Sequence, residues 1–164
     1  MKLKPILIVL LLLMAAPAFA ADETDNTSHL PLPRFATLRS GEANMRTGPG
    51  TRYPIEWVYT RRGLPVEVVA EYDIWRRIRD PDGSEGWVNK TELTGKRGLI
   101  VTGQPRELRD DRNTQAAIVA HLETGAIGQL VSCAADWCKV KFEGVKGYMP
   151  KTDFWGAYPA EIFD

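Results

Sequence analysis

Apolar and polar positions along this chain alternate in short bursts rather than cycling at a helical period. One exception stands at the start, where Ile6 to Ala16 is an unbroken apolar run. Ala21 to Arg34 is then polar, with Asp22, Glu23, Asp25, Asn26 and Ser28 followed by Pro31 and Pro33. It has too little apolar area to offset chain ordering and is expected to be a flexible leader. From Phe35 onward, apolar residues come in short runs rich in β-branched side chains, each bounded by Gly, Pro, Asp or Asn. Examples are Val66-Glu67-Val68-Val69, Trp75 to Arg79, Gly86-Trp87-Val88 and Ile118-Val119-Ala120. No segment keeps a 3.6-residue period for three turns, so the pattern predicts an all-β chain of short strands.

The pattern occurs twice. Laying Trp75 on Trp137 brings Val68-Val69 onto Leu130-Val131 and Ile78 onto Val140. With one residue deleted in the next turn, Gly86-Trp87-Val88 meets Gly147-Tyr148-Met149, and Leu93 meets Phe154. Upstream, Leu38, Met45 and Arg46 answer to Val101, Leu108 and Arg109. Two units follow, 35–97 and 98–158, with a tail at 159–164. A β unit of about sixty residues buries only ~60% of the surface its unfolded chain exposes, so the two are expected to share an interface. The joint Gly95-Lys96-Arg97-Gly98 is too short for independent tumbling.

The N-terminal run changes the compartment. Lys2 and Lys4 precede it, and Ala18-Phe19-Ala20 closes it as an A-x-A cleavage signature. The run is shorter than the ~20 residues a spanning helix needs, so a cleaved signal peptide over 1–20 is preferred to an uncleaved anchor. The expected location is periplasmic or secreted, with no membrane contact after cleavage. Without those two lysines the balance is 19 basic against 21 acidic side chains, which argues against a nucleic-acid partner held by counterion release.

Cys133 and Cys138 fit an oxidising compartment. If Ala135-Asp136 is a two-residue turn, the cysteines face each other at a non-hydrogen-bonded site, within disulfide reach. A disulfide is therefore expected, in preference to two free thiols or a zinc set. In the first unit the same positions hold Glu71 and Arg76, a cross-strand ion pair in prospect.

Taken together, Asn44-x-Arg46-x-Gly48-Pro49-Gly50, the Trp75-x-x-Ile78 strand, and the Asp82-Gly83 turn leading to Gly86-Trp87-Val88 and closed by Leu93 resemble the bacterial SH3 (SH3b) family. The match covers 35–95. It is weaker over 98–156, where Asp110-Asp111-Arg112-Asn113-Thr114 replaces the Gly-Pro-Gly loop. The whole layout is similar to exported tandem SH3-like proteins of Gram-negative bacteria. The resemblance implies two small SH3-like barrels of five to six strands. It also implies a non-catalytic role, often directed at peptidoglycan or other envelope components.

The residues agree with the absence of catalysis. A Cys/His hydrolase needs a thiolate beside a histidine, but His29 lies in the leader, His121 stands apart, and both cysteines are assigned to a bridge. Ser84 sits in a turn rather than a nucleophile elbow. Adjacent Asp110 and Asp111 point apart, and no phosphate loop or dinucleotide fingerprint is present. No cofactor and no metal are expected.

A binding site would rest on aromatic side chains that a small barrel cannot bury. The candidate ligand-binding set is Arg46, Thr47, Tyr53, Trp57 and Trp75, arranged around the 46–51 loop. Trp75 either caps the barrel end or, with Ile78 inward, points out beside that loop. Arg46 either braces the loop or donates to a ligand carboxylate. Expected partners are peptidoglycan or, alternatively, another envelope protein.

Overall fold

The computed structural model describes residues 27–164. The expected signal peptide and the first part of the leader lie outside the described residues. Strands β1 (Arg34–Leu38), β2 (Ala43–Arg46), β3 (Ile55–Tyr59), β4 (Pro65–Tyr72), β5 (Trp75–Arg79), β6 (Glu85–Asn89) and β7 (Leu93–Thr94) build the first unit. The second is built from β8 (Gly98–Val101), β9 (Arg106–Arg109), β10 (Ile118–Leu122), β11 (Ile127–Cys133), β12 (Trp137–Phe142), β13 (Val145–Pro150) and β14 (Phe154–Trp155). Their order in space is the same, β3-β2-β6-β5-β4-β1-β7 and β10-β9-β13-β12-β11-β8-β14. The fold is all-β with two tandem SH3-like units. Among the described residues no helix is long and apolar enough to cross a membrane.

Alternation sorts the side chains onto two faces. In β5, Ile78 is fully buried opposite Val68 and Gly86, while Arg77 and Arg79 point outward. The first core gathers Leu38, Met45, Val66, Val68, Ile78 and Val88; the second gathers Leu99, Leu108, Val140, Phe142 and Met149. Both long hairpins carry a bulge at the same place, Val69 in β4 and Val131 in β11. The duplication therefore extends to local irregularities.

Two cores remain, but they are joined. Ile100 of the second unit is buried in the first core, with Ile127 and Trp155 packed against it. At the joint, Thr37 Oγ1 donates to Lys96 O at 2.6 Å and accepts from Gly98 N at 2.9 Å. A Cβ on Gly98 would lie 2.7 Å from Gly63 O, so only glycine allows this approach. Phe35 packs edge-on against Trp155, with ring centroids 4.8 Å apart. Tyr158 Oη donates to Glu67 Oε1 at 2.8 Å, and burial together with that carboxylate raises the phenol's pKa. Arg61 Nη2 donates to Gly125 O at 2.6 Å on the opposite side of the joint. These contacts fix one unit against the other.

Both ends of the described chain are tied down. Thr27 to Arg34, expected from composition to be flexible, docks on the fully buried Glu71. Ser28 N and Ser28 Oγ each donate to its carboxylate at 2.7 Å, Arg34 Nη2 does so at 2.5 Å, and Arg76 Nε lies at 3.1 Å. Burial pushes the Glu71 carboxyl up, but the bonds from Ser28 and Arg34 outweigh it and lower it to about 2. Apolar content could not reveal this anchor, because a buried anion recruits polar chain. At the other end, Phe163 exchanges two backbone hydrogen bonds with Cys133, and Glu161 pairs with Arg97.

The Cys133–Cys138 disulfide is formed, with Cα atoms 4.1 Å apart. Cys133 sends its N–H to Phe163 rather than to Cys138, as a non-hydrogen-bonded pair requires. At the equivalent place in the first unit, Glu71 stands opposite Arg76 as expected.

Candidate functional site

The five candidate binding residues do not converge. Arg46 braces its own loop, with Nη1 donating to Tyr53 O at 2.7 Å and Thr51 O at 3.2 Å. Arg109 does the same for the divergent loop of the second unit, through Ala116 O. Tyr53 lies flat on Gly48, where a Cβ would sit 2.5 Å from the ring, so this aromatic fills the loop. Thr47 is exposed, and its N–H goes to Pro54 O.

Trp75, either a barrel cap or an outward ring beside the loop on the sequence, is covered. β5 runs against β6 without a register shift, so Trp75 does lie on the face opposite Ile78. It is nevertheless only 7% exposed, packed with Ala70 and Trp87 in a cluster separate from the main core. Strand alternation assigns the face, but neighbours decide whether that face sees water.

Trp57 differs. It is 59% exposed on β3, a terminal strand of its sheet that is exposed at all but its last residue. There it lines a groove of about 870 Å³ between the two units. Met45, Leu64 and Ile100 supply apolar lining, and Thr102, Gly103, Thr124 and Gly125 form the wall from the second unit. Arg46, Thr47, Tyr53 and Trp75 do not line it. The groove exists because the rigid joint sets β3 of the first barrel beside the 102–103 and 124–125 turns of the second.

Its polar lining is acidic, from Glu56, Asp80, Asp82 and Glu85. Two of these carboxylates are already engaged. Asp80 Oδ1 accepts from Asp82 N at 3.0 Å and Ser84 N at 2.8 Å, while Oδ2 accepts from the Tyr59 hydroxyl at 3.0 Å. Burial, with Asp80 beside it, raises the Tyr59 phenol, which stays protonated and donating. Glu85 pairs with Arg77 at 3.0 Å and Arg79 at 2.7 Å. Glu56 and Asp82 have no ion-pair partner among the described residues. Arg61, the one cation on the lining among the described residues, donates from Nη2 to Gly125 O. The groove thus offers an aromatic plate, an apolar floor and two unpaired carboxylates. It can hold a partly apolar ligand carrying a positive charge.

Of the five candidates only Trp57 lines this groove, together with Glu56, which carries no sequence signal, and Asp82, which the sequence marks as a turn residue. No local signal marks either acid, because their common feature is a wall supplied by the distant 102–103 and 124–125 turns.

A family model described as bacterial SH3 domain matches the chain twice, over residues 39–95 and 104–156. The chain belongs to the bacterial SH3 domain family. Both matches fall within the two structural units, so this chain carries the bacterial SH3 domain in tandem. It is 21% identical over 125 residues to a Bacillus subtilis (strain 168) protein named "Putative N-acetylmuramoyl-L-alanine amidase YrvJ", over 70% of this chain and 24% of that protein. The chain therefore spans about a quarter of that relative. Among solved structures, a match to NlpC2 from Trichomonas vaginalis has 8% identity and a TM-score of 0.35, covering 76% of this chain and 48% of that one. An NlpC/P60 family protein from Bacillus cereus ATCC 10987 matches with 15% identity and a TM-score of 0.34, over 75% of this chain and 57% of that one. At such scores these two likenesses carry no argument here.

Proposed function

We propose that this bacterial SH3 chain is a non-catalytic binding module of the cell envelope that holds peptidoglycan in the groove of Trp57. The observation that carries the reading is a tryptophan left 59% exposed in a concave site between two rigidly joined barrels. A folded chain leaves so large an apolar surface open in a groove chiefly where a ligand covers it. Wall peptides and glycans suit the lining, since a sugar ring or short aliphatic segment packs on indole while a free amine meets Glu56 or Asp82. The amidase name carried by the relative agrees with a wall-directed role. Covering Trp57 would contribute about 2 kcal/mol, or roughly 30-fold in affinity.

Sedimentation of the purified protein with isolated sacculi tests this. Wild type should pellet with the wall, Trp57→Ala should stay largely in the supernatant, and Tyr72→Ala, an exposed aromatic outside the groove, should behave as wild type. Wild type remaining in solution at low and high salt, or Trp57→Ala pelleting as well as wild type, would refute the proposal.

A second reading, a protein-interaction adaptor, is favoured by the sheet edges. β3 and β10 are both terminal strands, and both expose apolar residues, Ile55 and Val58 in one and Ile118 and Val119 in the other. Such edges accept an added strand from a partner. In-cell crosslinking at Val58 and Val119 that captured one discrete protein, with no wall association, would favour this reading.

A further inference from the structure

The two barrels share a backbone but differ in charge on one face, which is ion-paired in the first and cationic in the second. In the first, Arg79 stands between Glu85 on β6 and Glu67 on β4, and is ion-paired with both. In the second, Lys141 occupies the position of Arg79, Lys146 that of Glu85, and Gln129 that of Glu67. Both counter-acids are gone, and one has been replaced by a second cation. Lys141 and Lys146 are paired directly across the strands, an arrangement that destabilises a sheet through like-charge repulsion. Lys139 lies on the same face two residues before Lys141, opposite Tyr148. The Tyr148 ring is flanked by two cations, Arg112 at 5.4 Å and Lys139 at 5.8 Å from its centroid. Lys139, Lys141, Lys146 and Arg112 have no salt-bridge partner among the described residues.

We propose that this outer face of β11, β12 and β13 docks an anionic glycan strand. Charge complementarity sets the sign of the occupant, since an anion bound here would relieve the mutual repulsion of three lysines and an arginine that have no ion-pair partner among the described residues. The shape of the face sets its form. Cations follow one another about 7 Å apart along β12 and face each other about 5 Å apart across to β13, on a sheet rather than in a pocket. A linear polymer with a carboxylate on each sugar can lie along such a row. The half-buried Tyr148 supplies an aromatic surface for a sugar ring. A planar anionic bilayer fits less well, because Asp110, Asp111 and Glu143 adjoin the patch in the chain and are exposed.

The inference does not rest on the Trp57 groove, which is lined by other residues. It is tested with oligogalacturonate as the probe, in a low-salt titration of the purified protein. Neutral dextran oligomers, a poly-glutamate peptide and anionic phospholipid vesicles serve as the other arms. Wild type should bind oligogalacturonate in preference to all three, and added salt should weaken the binding. Lys146→Glu reproduces the first barrel's cross-strand ion pair. It should raise the melting temperature while lowering oligogalacturonate affinity at least tenfold. Lys141→Gln should lower affinity in the same direction, and Tyr72→Ala, an exposed aromatic away from this face, should leave it unchanged. Four results overturn the proposal: binding no tighter than dextran, affinity unmoved by Lys146→Glu, a lower melting temperature in that variant, or equal or stronger binding to poly-glutamate or vesicles. Equal poly-glutamate binding would mean an acidic protein partner, and stronger vesicle binding a membrane surface.

Discussion

Replacing Glu71 with glutamine probes the most tightly held charge in the first barrel. The carboxylate is fully buried and is contacted by Ser28, Arg34 and Arg76. Its pKa is lowered from 4.5 to about 2. A group whose folded pKa is depressed contributes stability that is fully present above its unfolded value and is lost as pH falls towards its folded one. The window is therefore from about pH 4.5 down to about pH 2. A shift of that size corresponds to about 3 kcal/mol. Glutamine keeps the shape of the carboxylate but not its charge. Glu71→Gln should thus cost about 3 kcal/mol near pH 7, and under about 1 kcal/mol near pH 2, where the wild-type carboxyl is about half protonated and nearly all of the charge-linked stability is gone. Urea unfolding followed by tryptophan fluorescence, repeated between pH 7 and pH 2, measures both proteins. Glu161, lowered by its hydrogen bonds to Arg97 against the effect of burial, titrates in the same direction but is present in both, so it cancels in the difference. A gap between the two proteins that stays constant across the window would refute the reasoning, since the cost would then be one of packing rather than charge.

Further outcomes follow from the joint, the bridge and the groove. Thr37→Val removes a hydroxyl that both donates to Lys96 O and caps the buried Gly98 N–H. It should cost about 2 kcal/mol and speed hydrogen exchange at Gly98, with unchanged exchange there counting against a fixed joint. Replacing Cys133 and Cys138 together by alanine opens a loop with a sequence separation of 5 and should cost about 2 kcal/mol in the chain-entropy model. Reduction of wild type should give the same loss in a denaturation curve. Trp57→Ala, by contrast, should change stability by less than about 0.5 kcal/mol, because the ring is largely exposed. A larger loss would mean that the ring holds the barrels together rather than awaiting a ligand.

Strand positions, the duplication and the disulfide could all be read from the chain, and for one reason. Each depends on short-range order: a period of two, turn residues at the ends of runs, and a hairpin whose register places Cys133 against Cys138. The all-β fold and its family follow from the same local order. The binding surface is another matter. Alternation put Trp75 on the outer face correctly, yet Ala70 and Trp87 cover it there, while Trp57 stays open beside a wall that the second barrel supplies. Glu71 could be matched to Arg76 by register, but its ties to Ser28 and Arg34 bring together residues that no pattern links. Whether a side chain meets solvent, a partner or a ligand depends on which distant segments arrive beside it, and only the packing of the two barrels and their ends decides that.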